Sequence, residues 1–234
     1  MKKIILLRHG QSIWNLENKF TGWTDVPLSD NGREEAHLAG EAMRKAGLKP
    51  EYYFTSYLRR AIHTLQIAAE AMELDYIPVI KDWHLNERHY GALQGLNKTE
   101  TAKKYGAEQV HIWRRSFDVM PPLLTPTDHR YPGNDPKYTS LTADELPLSE
   151  SLQDTIARVR CCWQELIVPQ LALHDTVLIV AHGNSLRGLA MMLQHLTANE
   201  VVKLEIPTGK PWVFEADDRI NIINQYYLTL NAEI

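Results

Sequence analysis

Two histidines lie far apart in the chain, yet each closes an aliphatic run with the same dipeptide: Ile4-Ile5-Leu6-Leu7-Arg8-His9-Gly10 and Val177-Leu178-Ile179-Val180-Ala181-His182-Gly183. A neutral imidazole is nucleophilic at physiological pH, and a phosphorylated ring nitrogen remains a good phosphoryl donor. Transfer of a phosphoryl group also needs positive charge on the moving oxygens and a proton carrier for the leaving oxygen. Guanidinium groups fork onto phosphate oxygens. Arg8 adjoins His9, Arg59-Arg60 follows Ser56, and Arg114-Arg115 lies further along. Gly183 stands at the mouth of a following helix, where backbone N–H groups favour anions. The acidic residues are scattered, with no D-x-D or H-E-x-x-H spacing. The expected chemistry is therefore phosphoryl transfer on an imidazole, clamped by arginines and needing no metal.

For that chemistry the two histidines must meet. A short β-branched and aliphatic run ending in a polar, Gly-containing turn reads as a buried parallel strand. Ligand crevices in open α/β sheets lie beyond the carboxyl ends of such strands, so neighbouring strands would place both rings in one crevice. The rest of the chain alternates strand and helix. Ser29 caps a helix through Ala36, Leu38, Ala42 and Met43 that stops at Gly47. Tyr53–Ser56 and Ile77–Ile80 read as short strands, and Leu58, Ile62, Leu65, Ala69 and Met72 share a helical face between them. Asn97 and Glu100 fit the capping box of a helix ended by Gly106. Six prolines between Met120 and Pro147 mark a long irregular excursion. Loops of this kind are usually lids or partner surfaces. A helix then turns Leu152, Ile156, Val159, Trp163 and Leu166 inward, another covers Arg187–Leu196, and 212–215 and 220–228 read as closing strands. The expected fold is α/β in one domain, 1–234, with an insertion at about 97–147.

Composition narrows the partners. The formal net charge of −4 and the lack of any basic block argue against nucleic acid and anionic membranes. No apolar stretch approaches the ~20 residues a membrane helix needs, and the first strand begins without the pattern of a signal peptide. The only cysteines, Cys161 and Cys162, are adjacent and make no disulfide framework. A cytoplasmic protein is the expectation.

Longer segments carry a resemblance. Leu7-Arg8-His9-Gly10-Gln11-Ser12-Ile13-Trp14-Asn15 resembles the signature of the histidine phosphatase superfamily. Phe20–Leu28, Leu85–Lys98, Trp113-Arg114-Arg115, Ala181–Arg187 and Ile206–Gly209 resemble the 2,3-bisphosphoglycerate-dependent phosphoglycerate mutases of glycolysis and gluconeogenesis. The resemblance implies a mostly parallel central sheet with helices on both faces and the insertion over the strand carboxyl edge. It implies His9 as nucleophile, Arg8, Arg60 and His182 around the transferring group, and Ser12, Asn15 and the Gly183 backbone assisting. Glu87 would carry the substrate hydroxyl proton. Thr21, Gly22, Tyr90, Lys98, Arg114, Arg115 and Asn184 would hold the rest of a phosphoglycerate. 2,3-Bisphosphoglycerate would be primer and intermediate, and the assembly a homodimer or homotetramer. A carboxyl close to phosphate is expected to have its pKa raised.

The pattern is departed from in places. Ile13 stands where members usually carry Glu, and Cys161-Cys162 replaces an apolar-Pro pair. Many members continue into a Lys- and Ala-rich tail that folds over the site, whereas this sequence closes with Asn231-Ala232-Glu233-Ile234. A missing cover would admit water and raise phosphatase leakage, with the 118–147 excursion expected to supply part of the enclosure. Trp14, Trp23 and Trp113 read as packing residues, one of them lining a pocket. Two other readings stand beside the mutase: a phosphomonoesterase of the same superfamily, and a non-catalytic phospholigand-binding module. The insertion bearing Lys98, Arg114 and Arg115 speaks against the first, and the full catalytic set against the second.

Overall fold

A computed structural model describes residues 1–230; Asn231–Ile234, on which the expectation about a short tail partly rests, lie outside the described residues. In chain order the elements are β1 (Lys2–Arg8), α1 (Ile13–Leu16), α2 (Asp30–Lys45), β2 (Tyr52–Thr55), α3 (Arg59–Met72), β3 (Val79–Lys81), α4 (Lys98–Tyr105) and α5 (Ala107–Arg115). They continue with α6 (Leu152–Cys162), α7 (Val168–Leu173), β4 (Thr176–Ala181), α8 (Gly183–Gln194), α9 (Ala198–Val201), β5 (Trp212–Ala216) and β6 (Ile222–Tyr227). The strands form a single sheet in the order β3-β2-β4-β1-β5-β6. β3, β2, β4 and β1 run parallel, and β5 and β6 close one edge antiparallel. The mostly parallel α/β sheet expected from sequence is present.

Alternation along the central strands explains why both faces are covered. Ile4, Leu6, Val177 and Ile179 point into a core shared with Val159 of α6 and Leu186, Leu189 and Ala190 of α8. Ile5, Leu7, Leu178 and Val180 point the opposite way, onto Ala39, Ala42 and Met43 of α2 and Leu65, Ala68 and Met72 of α3. The helices following β1 and β4 therefore leave toward opposite faces although the two strands are neighbours. That divergence opens a crevice at their carboxyl ends. Register completes the placement: Arg8 pairs with Ala181, and the His9 N–H donates to the Ala181 carbonyl at 3.0 Å. His9 and His182 leave the sheet side by side.

Several boundaries differ from the sequence reading. The helix after the second histidine starts at Gly183, not Arg187, because His182 is an extended N-cap whose N–H donates to Ser185 Oγ at 3.1 Å. Polar residues unfavourable inside a helix are at home in such a first turn. The stretch after His9 contains α1, with Ser12 as its N-cap. β3 begins at Val79, two residues late. Trp163 and Leu166 are half-buried at the rim of the core, since α6 passes into a π-helical turn over Trp163–Ile167. A π turn inserts a residue and rotates the buried face, and it lets Pro169 follow without a clash with the preceding turn. The excursion includes single 3-10 turns at Pro132–Asn134, Pro136–Tyr138 and Ala143–Glu145. Among the described residues no helix is long and apolar enough to cross a membrane.

Candidate active site

Beyond the carboxyl ends of β1 and β4 lies a cavity walled by Arg8, His9, Asn15, Thr21, Gly22, Arg60, Glu87, Tyr90, Lys98, Arg114, Arg115, Gly183 and Asn184. Every one of these was expected from sequence, and five separate parts of the chain supply them. The cavity also takes in Lys19, Phe20, Arg187, Glu205 and Ile206, which sequence reasoning missed. Seven cationic side chains (Arg8, Lys19, Arg60, Lys98, Arg114, Arg115 and Arg187) face two carboxylates, Glu87 and Glu205. A chain of net negative charge has thus gathered a strongly positive pocket, suited to a ligand with several negative charges.

His9 is 3 % exposed, and its Nδ1 lies 2.7 Å from the Gly10 carbonyl. A carbonyl only accepts, so Nδ1 carries the proton and Nε2 keeps its lone pair. Arg60 Nε–H points at that nitrogen from 3.4 Å. Burial, then Arg60 and Arg8, hold the His9 pKa well below the ordinary imidazole value, against a smaller upward pull from Gly10. The ring is therefore neutral at physiological pH with Nε2 free to attack.

Arg60 is placed by α3, and the loop before it is shaped to receive it. Its Nη1 and Nη2 donate to the carbonyls of Thr24 and Gly22 at 3.0 and 2.8 Å. Gly22 adopts φ +55°, and a Cβ there would meet Gln94 Oε1 at 2.0 Å, so only glycine fits. Burial lowers the Arg60 pKa to about 10, which leaves it cationic at neutral pH. At Gly183 the demand is different. An added Cβ would meet Arg8 at 3.6 Å and Glu87 Oε2 at 3.8 Å, ordinary contacts, so the bare backbone keeps room between those two side chains.

His182 is fully buried behind His9, with ring centroids 4.9 Å apart, and does not itself line the cavity. Its Nε2 lies 2.8 Å from Ser56 Oγ, while its buried Nδ1 has no partner, nor has the buried Nε of Arg8. Unpartnered buried nitrogens beside a nucleophilic ring fit a phosphoryl group, which brings three acceptor oxygens. Burial, followed by Arg60 and His9, pushes the His182 pKa well below its usual value.

Glu87 Oε1 accepts from the Arg88 N–H at 2.8 Å and from Asn184 Nδ2 and N–H at 2.8 and 3.2 Å. Burial pushes its pKa up, but the Arg88 amide, Asn184, Arg60 and Arg8 outweigh it, and the net shift is downward. The expected upward shift is one that a nearby phosphate produces, and here the nearest charges are cationic. Like charge from a phosphate acts in the expected direction only once one is close.

Two other expected contributors stand back from the cavity wall. Ser12 does not reach the cavity; its Oγ caps α1 by accepting from the Asn15 N–H at 3.2 Å, which turns Asn15 toward the site. The 118–147 excursion does not enclose the cavity either. Tyr138 is buried against Trp23 and hydrogen-bonded to Asn86, Lys137 pairs with Asp25, and Arg130 donates to the carbonyls of Ala92 and Gln94. The segment buttresses the loops behind the site. Trp23 and Trp113 pack in small satellite clusters as expected, while two tryptophans, Trp14 and Trp23, line a second pocket beside that segment where one was expected.

Of the missed residues, Arg187 lies three positions after Asn184 on α8 and donates to its Oδ1 at 3.0 Å. One turn of helix past a site residue is the signal that could have found it. Glu205, 69 % exposed, pairs with Arg115 at 2.9 Å and reaches Arg187 at 3.9 Å across the mouth. Among the described residues no group of three or more His, Cys, Asp or Glu is placed to hold a metal.

Comparison with known proteins agrees with this geometry. A 2,3-bisphosphoglycerate-dependent phosphoglycerate mutase of Hydrogenobaculum sp. (strain Y04AAS1) is 56 % identical over 228 residues, 97 % of this chain and 92 % of that protein. Among solved structures, a mycobacterial glucosyl-3-phosphoglycerate phosphatase complexed with VO3 superposes with a TM-score of 0.73 at 24 % identity, covering 100 % of both chains. The alpha-ribazole phosphatase of Shigella flexneri gives 0.69 at 20 % identity, over 98 % of this chain and 96 % of its own. Those two likenesses establish the shared fold. The model of the histidine phosphatase superfamily (branch 1) matches residues 4–228, and the chain belongs to that superfamily.

Proposed function

We propose that this chain is a 2,3-bisphosphoglycerate-dependent phosphoglycerate mutase, interconverting 3- and 2-phosphoglycerate through phosphohistidine at His9. The observation that carries the reading is the number of cations in one pocket. Neutral His9 lies with Arg8 and Arg60, and Lys98, Arg114 and Arg115 of the insertion add a second cationic group to the same wall. A general phosphomonoesterase needs the first group only. An enzyme that must grip a molecule by two anionic ends needs both.

The residues then divide the work. His9 Nε2 attacks phosphorus in line with the leaving oxygen, and Arg8, Arg60, His182 and the first N–H groups of α8 take the charge on the oxygens. Asn15 lines the same pocket, with Ser12 acting through it. Glu87, ionised in the free pocket, accepts the proton of the substrate hydroxyl as phosphoryl leaves His9, and returns it to the oxygen released when His9 is phosphorylated again. Thr21, Gly22, Tyr90, Lys98, Arg114, Arg115 and Asn184 hold the remaining phosphate and carboxylate. 2,3-Bisphosphoglycerate, when bound, supplies the phosphoryl group that primes His9; its charge and two phosphates fit the cationic wall and the unpartnered Arg8 Nε.

The whole chain acts as one catalytic domain in this reading, in the cytoplasm, on phosphoglycerates and not on nucleic acid or membranes. Exposed Tyr76 and Val79 at the edge strand β3 support a homodimer or homotetramer. The arginine and lysine clamp supports chemistry without a metal, so a chelator should leave turnover unchanged. A coupled assay of 3- to 2-phosphoglycerate conversion, with and without bisphosphate and beside a phosphate-release assay, tests the proposal. Stimulation by a trace of bisphosphate is expected; dominant phosphate release would replace the mutase by the phosphatase. His9→Ala should take no label from bisphosphate labelled on phosphorus, and persistent labelling would move the nucleophile elsewhere.

A further inference from the structure

Glu87 reaches the cavity from residues 86–90, a stretch with neither helix nor strand of its own. A proton carrier works only if placed to within a fraction of an ångström, so something outside the stretch must fix its backbone. Arg158 of α6 does so with a side chain 8 % exposed. All five donors of a guanidinium are matched. Nε donates to Glu150 Oε1 at 2.6 Å, Nη1 to the carbonyls of His84 and Asn86, and Nη2 to the Glu87 carbonyl and Glu150 Oε2, both at 2.9 Å. Glu150 in turn accepts the His89 N–H at 2.7 Å and gives its own N–H to the His89 carbonyl at 2.9 Å. The backbone is thus gripped immediately before, at and after Glu87. A buried ion pair is weak as a stability device, since apolar residues of similar volume often serve as well. Apolar residues cannot present a fan of donors to three carbonyls.

We infer that Arg158 and Glu150 are a positioning pair that holds the Glu87 carboxyl in register with His9 for proton transfer. The inference rests on the reading of Glu87 as proton carrier. Neither residue touches the cavity, and both act through the backbone they hold.

Arg158→Lys keeps the charge but has three donors on a flexible stem and no planar fork. It should lower kcat by about tenfold to a hundredfold, the usual effect of losing a group that orients a reacting residue. KM should change by less than about twofold, because the cations that bind substrate stand on other elements. The deciding measurement is a double-mutant cycle with Glu87→Gln. In that background Arg158→Lys should cost less than about twofold, since the side chain it positions no longer carries a proton. A full loss persisting beside Glu87→Gln would overturn the inference, as would a KM that rises as far as kcat falls. Should Arg158→Lys not fold, Glu150→Gln, which retains an acceptor for the His89 N–H, enters the same cycle with the same criteria. If the wild-type protein releases phosphate without isomerising substrate, the functional reading fails by itself. The cycle is then read on phosphate release, where Glu87 protonates the leaving alkoxide, so the two failures stay distinct.

Discussion

Acid should destabilise this protein well before its carboxylates titrate. His9, His89 and His182 are all 3 % exposed or less, and burial is the first cause of a lowered pKa in each, down to about 3 for His89. An unfolded chain binds protons at these positions near the ordinary pKa of about 6.5, while the folded chain refuses them. Their stability contribution is therefore present above about pH 6.5 and lost as pH falls below it, levelling off only at the depressed folded values. Holding the His89 ring neutral costs about 1 kcal/mol at pH 5.5 and almost nothing at pH 7.5. His9 and His182 add to that loss in the same direction, against the ~5–15 kcal/mol by which a domain is stable. Urea unfolding followed by tryptophan fluorescence, at fixed protein concentration in phosphate-free buffer, reads the drop. His89→Asn isolates one ring, because an Asn oxygen can replace His89 Nδ1 as acceptor for the Gly91 N–H. The lost ring volume lowers stability at both pH values and cancels in the difference. The variant should drop by about 1 kcal/mol less than the wild type. A wild-type drop below about 1 kcal/mol, or identical drops in both proteins, would refute the claim that these imidazoles are held neutral.

Ser12→Ala should cost about 1 kcal/mol of stability through the lost cap and leave kcat within about threefold; a thousandfold loss of kcat would restore the direct phosphate contact expected from sequence. Arg60→Lys keeps the charge but leaves the Gly22 and Thr24 carbonyls without their fork. Its kcat/KM should fall at least about a hundredfold, in line with losing one preorganised donor, and near-normal kinetics would argue against the clamp. Glu205→Gln removes a largely exposed competitor for Arg115 and Arg187. Exposed pairs contribute up to about 1 kcal/mol, so bisphosphate should bind up to about fivefold tighter by calorimetry; weaker binding would show that Glu205 orients those arginines instead of competing for them.

The parts of the site that sequence made legible were those carried by strand ends and contiguous segments. His9 and His182 were placed together because apolar strands end abruptly and parallel strands share a crevice. The residues that escaped are held by contacts with no signature in spacing. Glu150 and Arg158 are eight apart, an interval that marks no helical ion pair, and Glu150 precedes α6 altogether. Glu205 comes from a loop after α9 and meets Arg115, supplied by the insertion, only in the folded chain. Ser12 was legible as a residue, while its capping contact was not. A hydroxyl beside a nucleophile suits either a ligand or a cap, and a four-residue helix has too little periodicity to announce itself.

The excursion carries the larger lesson. Proline density between 120 and 147 suggested a cover, yet the same segment holds Tyr138, Leu141 and Leu146, which join Trp23 and Trp83 in a satellite core. A lid must open at little cost, so it keeps few buried apolar contacts and few internal hydrogen bonds. This segment buries Leu124 and Tyr138 and is laced with hydrogen bonds, and Tyr138 ties it to Asn86, the residue before Glu87. Its apolar content, weighed against its prolines, argues for a buttress: the prolines stiffen a path that the aromatic side chains anchor. The loops on which Arg60 and Glu87 depend are thereby fixed from behind, and the open mouth of the pocket is left to Arg115, Arg187 and Glu205.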